Sequence, residues 1–150
     1  MPSWVPSGDI PSAPLGCFNT SPDSKISVWY VENDKSNLER IIAGIAAGRQ
    51  NAEKFDYVLF PDNLLSEAEV KSEEAPGKSK DENSNAKWHR DLIEISATKL
   101  VKLVELVSRQ GEIKRSSERE VISLIRKSLD NGAIQKTGLH EYLSRRLFEN

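Results

Sequence analysis

The sequence predicts a mixed α/β chain, with α+β as the alternative within that class. Three observations carry this. A β-branched and aromatic run spans Ile26–Glu32, an apolar helical stripe follows it directly, and helical periodicity dominates the C-terminal half. The expected architecture is a small βαβ unit at residues 25–65, bearing an irregular proline-rich arm at residues 1–24. It packs on a C-terminal three-helix subdomain at residues 87–150, with a charged flexible loop at residues 66–86 between them. At 150 residues the chain buries roughly 70% of its unfolded surface, so one compact domain with its own core is expected.

The arm holds five of the seven prolines: Pro2, Pro6, Pro11, Pro14 and Pro22. Each removes a backbone donor and fixes φ, which excludes helix and central strand. Yet Trp4, Val5, Ile10, Leu15 and Phe18 give it apolar weight, so Trp4 or Phe18 is expected to anchor it. In the first strand, Ile26, Val28 and Tyr30 alternate with Ser27, Trp29 and Val31. Both faces carry apolar residues, which predicts cover on both sides and places Trp29 and Tyr30 in the core.

Ser36 and Glu39 have the spacing of a capping box that starts a helix to about Gly48. Leu38, Ile41, Ile42 and Ile45 form one stripe, while the back face is Ala43, Gly44 and Ala47. So small a back face predicts packing on two sides, with Gly44 and Gly48 allowing close approach. Phe55–Phe60 is the second strand, closed by Pro61, and the order predicts a right-handed parallel crossover. A second capping spacing, Ser66 to Glu69, marks a short helix. Lys71–Asn85 has no large apolar residue beyond it and reads as loop.

Trp88–Arg109 reads as one long helix with a wide apolar arc, stopped by Gly111. His89 falls on its apolar side, as a hydrogen-bonded core histidine. Ser117 and Glu120 cap the next helix, whose buried face is Val121, Ile122, Leu124, Ile125 and Leu129. A last helix spans about Gly138–Glu149 with Leu139, Tyr142, Leu143 and Leu147 inward. His140 lies at its edge.

Several function classes find no support. No apolar run approaches the ~20 residues of a spanning helix, so no membrane partner is expected. Cys17 is the single cysteine, which excludes a disulfide framework and a multi-cysteine zinc site. It is a poor nucleophile candidate, lying in an irregular arm without a neighbouring base. The two histidines have no metal-ligand spacing, and no phosphate-cradling glycine motif is present. No cofactor or metal is therefore expected. A free thiol and a start without a secretory signal favour the cytoplasm.

Charge is uneven. Residues 1–86 hold 8 Lys+Arg against 14 Asp+Glu, and residues 87–150 hold 13 against 9. Such asymmetry suits surfaces that recruit different partners. The expected function is therefore a non-enzymatic protein-interaction module: an adaptor, an immunity-type inhibitor or a regulatory subunit. Its partner is another protein or a second copy of this chain. The candidate surface is Arg119, Arg126, Lys127, Lys136 and Arg145, with Trp4, Phe18 and Phe148 as interface anchors. The same basic residues support a nucleic-acid-associated protein as the alternative. Glu105–Arg109 and Glu141–Arg145 are helical pairs that neutralise two arginines, and Arg146 points inward. A second alternative is a small enzyme with Glu32, Asp56 and Asp62 at strand ends, where α/β sheets place ligands.

Overall fold

A computed structural model describes residues 25–149. The chain is mixed α/β, as predicted, with two small antiparallel sheets. The strands are β1 (Ile26–Trp29), β2 (Phe55–Leu59), β3 (Lys71–Glu74), β4 (His89–Ile93) and β5 (Glu112–Ser116). The helices are α1 (Leu38–Ala47), α2 (Asn63–Glu67), α3 (Glu82–Lys87), α4 (Ala97–Gln110), α5 (Glu118–Asp130) and α6 (Glu141–Phe148). A 3-10 turn covers Lys136–Gly138.

The parallel crossover is corrected. β1 belongs to a three-stranded sheet ordered β1-β4-β3, whereas β2 pairs with β5. The partner strands explain the misreading. β4 lies inside the stretch read as the start of the long helix, and β5, Glu-Ile-Lys-Arg-Ser, has one large apolar residue. The predicted loop likewise contains β3 and α3. Of the expected helix at Trp88–Arg109, His89–Ile93 is strand, followed by Glu94, whose φ of 54° is left-handed. The helix itself starts only after Ser96, whose hydroxyl accepts from the Lys99 N–H at 3.3 Å.

The chain forms two compact units, each collecting three stretches of sequence. The first comprises Asp56–Glu74, Asp91–Lys114 and the described part of Met1–Val28. Its core is Leu64, Ala68, Val70, Leu92, Leu103, Val104 and Val107. Ile26, Val28, Val58 and Phe60 pack against that cluster. Gly111 caps the end of α4, and a Cβ there would stand 2.5 Å from the Val107 carbonyl and 3.0 Å from Val58. The turn from α4 into β5 thus admits no side chain.

The second unit comprises Trp29–Phe55, Ala75–Arg90 and Arg115–Asn150. Here α1 packs on α5, burying Ile41, Ile42, Ala43, Ala46, Val121 and Ile125. Leu143 and Leu147 supply the inward stripe of α6. The two-sided packing of α1 is as expected, and α3 packs on it as well. The Ser36 capping box is replaced. Asn37 takes the cap position, and its amide accepts from Glu32 N at 2.9 Å and donates to Tyr30 O at 3.0 Å. The side chain thereby ties the end of β1 to the start of α1. The second capping spacing also fails, because Ser66 falls inside α2.

The Ser117–Glu120 box forms as predicted. Glu120 N donates to Ser117 Oγ at 3.2 Å, and Ser117 N donates to the Glu120 carboxylate at 2.7 Å. Ser117→Ala is expected to cost about 1 kcal/mol, read as a lower denaturation midpoint with unchanged slope.

Candidate functional site

The candidate surface is built from α5, the 3-10 turn and α6. The exposed side of α5 is an open concave face carrying Arg119, Ile122, Ser123, Arg126, Lys127 and Asp130. Helical spacing puts Arg119, Ser123, Arg126 and Asp130 on one side because Val121 and Ile125 must face the core. Arg126 reaches across to α6, where its guanidinium donates to Leu147 O at 3.1 Å. A cation there satisfies one of the terminal carbonyls and opposes the negative end of the helix dipole.

Lys136 meets the same end of α6. Its Nζ lies 4.0 Å from the Phe148 ring centroid, an electrostatic contact between ammonium and ring face. Arg126, Lys136 and Phe148 therefore gather round one helix terminus. Phe148 remains 48% exposed. Lys127 pairs with Glu39 at 2.8 Å, and Arg145 with Glu141 at 2.5 Å. Arg119 is exposed on α5. Arg146 pairs with Glu118 and donates to Asn51 at 3.1 Å, which keeps it within this unit. Trp4, Cys17 and Phe18 lie outside the described residues.

Two aromatic placements are corrected. Tyr142, read as inward, is 58% exposed, because Leu143 and Leu147 at i and i+4 define the buried stripe. Tyr30, read as core, is also exposed, whereas Trp29 is half-buried against His89 with ring centroids 4.9 Å apart. Tyr142, Arg145 and Phe148 follow one another at intervals of three, forming a slanted solvent-facing row on α6.

A second polar cluster is buried. Asp81, without solvent exposure, accepts from Arg40 Nε at 2.5 Å and Arg40 Nη2 at 3.1 Å. It also accepts from Ser84 N at 3.1 Å and Ser84 Oγ at 2.8 Å, capping α3. Burial pushes this carboxyl up, but the hydrogen bonds from Arg40 and Ser84 outweigh it and hold the group below its ordinary value. Beside it, Ser79 Oγ donates to Asn85 Oδ1 at 2.6 Å. His89 is buried in the same unit. Its Nδ1 lies 2.8 Å from Ala75 O, a carbonyl that can only accept, so that nitrogen carries the proton. Among the described residues, every buried side-chain nitrogen and oxygen has a hydrogen-bond partner. Saturation of this kind suits a structural cluster.

The acids considered for catalysis occupy separate settings. Glu32 is exposed and accepts from Ser36 Oγ at 3.3 Å; Asp62 is exposed at the start of α2; Asp56 lies within β2. None of them lines the concave face on α5. Among the described residues, no group of three or more His, Cys, Asp or Glu could hold a metal ion. No described helix is long and apolar enough to cross a membrane. No protein-family model, curated protein or solved structure matches the chain.

Proposed function

We propose that this chain is a non-enzymatic protein-interaction module, acting as an adaptor, inhibitor or regulatory subunit. Its docking surface is the row Tyr142, Arg145 and Phe148 on α6, flanked by Lys136 and the Arg126 end of α5. One observation carries this reading: two large aromatic side chains, Tyr142 and Phe148, are 58% and 48% exposed, with a cation placed over one of them. Tyr, Phe and Arg are enriched in the cores of protein interfaces, and Tyr and Arg are among the types that carry most binding energy there. The partner that suits such a surface offers apolar side chains beside carboxylates, which would meet Lys136, Arg126 and Arg119.

The nucleic-acid alternative is less well supported by the same geometry. Phosphate binding needs cations free to release their counterions. Here Lys127 and Arg145 are already paired with Glu39 and Glu141, and Asp130 sits among the α5 cations. A polyanion would meet those carboxylates too.

The test compares proteins cross-linked in the cells of origin to the wild type and to the double variant Tyr142→Ala/Phe148→Ala. Both positions are exposed, so folding stability should change by no more than about 0.5 kcal/mol each. The reading expects a specific partner whose recovery falls at least about tenfold in the variant. Equal recovery by both proteins overturns it. A salt-dependent shift of duplex DNA or RNA, lost on Arg126→Glu/Lys127→Glu, would overturn it in favour of the nucleic-acid reading.

A further inference from the structure

We propose that α5 packs antiparallel on α5 of a second copy, held by two Arg119–Asp130 ion pairs across a two-fold axis. The inference goes beyond the reading above, whose carrying residues Tyr142 and Phe148 lie on α6. Val121, Ile125 and Ser128 are the buried side of α5, so its outermost stripe is Arg119, Ser123, Arg126 and Asp130. All four are exposed on the open concave face. Their spacing of four, three and four residues is that of a seam between two packed helices.

The neighbouring charges leave both ends of this stripe unmatched. Glu118 pairs with Arg146, and Glu120 caps the helix through Ser117 N, so neither adjoining carboxylate meets Arg119. Lys127 pairs with Glu39, and Arg126 turns to Leu147 O, so neither adjoining cation meets Asp130. Among the described residues, Arg119 and Asp130 have no hydrogen-bond or ion-pair partner.

Charge order selects the occupant and its direction. A wholly acidic partner lying along the stripe would meet Asp130, and a wholly basic one would meet Arg119 and Arg126. The same stripe run backwards matches it. A two-fold antiparallel contact that sets Arg119 level with Asp130 of the second copy forms that pair twice. Ser123 then lies level with Arg126, so a guanidinium meets a small hydroxyl and no like charges face each other. Ile122, half-buried on the flank, offers apolar surface for the second copy to cover. Shifting the register to set Arg126 against Arg126, or Arg119 against Arg126, opposes like charges. A parallel contact sets Arg119 against Arg119 and Asp130 against Asp130. Like-charge juxtaposition across an interface suppresses the wrong pairing. Arg119 thus serves the second copy, and Lys136 and Arg126 remain at the end of α6 for the other partner.

Sedimentation equilibrium of the full chain supplies the test. The wild type should show a monomer–dimer equilibrium that weakens as salt screens the pairs. Arg119→Asp and Asp130→Arg each oppose like charges twice, and each should raise the dissociation constant at least about tenfold. Both changes suit the helix dipole, since an acid enters the first turn and a base the last, so α5 itself should persist. Circular dichroism checks that it does. The double swap should restore the dimer. The two single variants, mixed in equal amounts, should pair with each other, because each supplies the charge the other lacks. Tyr142→Ala/Phe148→Ala should leave the dimer unchanged, which separates this contact from the α6 reading. A monomer at every concentration overturns the proposal. So does a dimer that survives both reversals, a mixture of single variants that stays monomeric, or a dimer lost with Tyr142 and Phe148.

Discussion

Asp81→Ala is expected to lower stability by about 3 kcal/mol, measured by urea unfolding at neutral pH. The carboxylate is fully buried and accepts four hydrogen bonds, two from Arg40 and two from Ser84. Its removal leaves a partly buried guanidinium, an orphaned hydroxyl and an uncapped helix. Arg40 keeps about a third of its side chain in water, which holds the loss at the lower end of the range for buried ion pairs. Arg40→Ala should also be costly, because it strands the buried carboxylate. The double variant should then cost less than the two single losses added together. Asp81→Asn separates charge from shape. The folded-state carboxyl is held below its ordinary value of 3.8, so it binds protons less readily than in the unfolded chain. Its stabilising effect is complete above about pH 4 and is lost as pH falls through the lower folded-state value. The stability gap between wild type and Asp81→Asn should therefore be full at pH 7 and narrow progressively in acid. A constant gap would mean that the ionised form contributes nothing.

How much of this was legible in the sequence follows from the range of the interactions. The helices α1, α5 and α6 were readable because apolar periodicity and the Ser117–Glu120 box are local, and burial of one stripe enforces them. Strand pairing was not. β4 carries His89 and Leu92, both buried and three apart, a spacing that lies on one face of a helix but on opposite faces of a strand. Only the left-handed Glu94 and the Ser96 cap separate the two outcomes, and neither residue type announces itself. β3 is Lys-Ser-Glu-Glu with every residue exposed, so its place in a sheet comes from backbone bonds to β4 and leaves no apolar trace. The same limit hid the Arg40–Asp81 pair, whose members lie 41 residues apart. On the candidate surface the cations were legible from spacing, and the pairing of Arg145 with Glu141 follows directly from the i,i+4 rule. The exposure of Tyr142 was not, because its position adjoins the buried stripe and only the neighbouring chain decides which flank is covered.

Gly44 tests whether the small back face of α1 was read for the right reason. Gly44→Val is expected to cost about 3 kcal/mol, and Gly44→Ala about 1–2 kcal/mol, by the same unfolding measurement. A Cβ at Gly44 would stand 3.0 Å from Asp81 Cβ and 3.0 Å from Ser79 Oγ. The Lys80 N–H donates to Gly44 O at 3.0 Å, so the two backbones are already fastened together. Neither neighbour can withdraw cheaply: Asp81 is held by Arg40 and Ser84, and Ser79 is held by Asn85. In an exposed helix, alanine would gain up to about 1 kcal/mol over glycine. At Gly44 the clash outweighs that gain, which fixes the sign. Gly48 supplies the contrast and corrects the sequence reading, which gave both glycines the same role. It is exposed at the end of α1 with a φ of −79°, and an added Cβ would meet only the Ile45 carbonyl of its own helix, at 3.3 Å. Gly48→Ala should stay within about 0.5 kcal/mol of wild type. Equal costs at the two positions would show that backbone freedom, and not the approach of the Ser79–Asp81 segment, is what glycine provides in this helix.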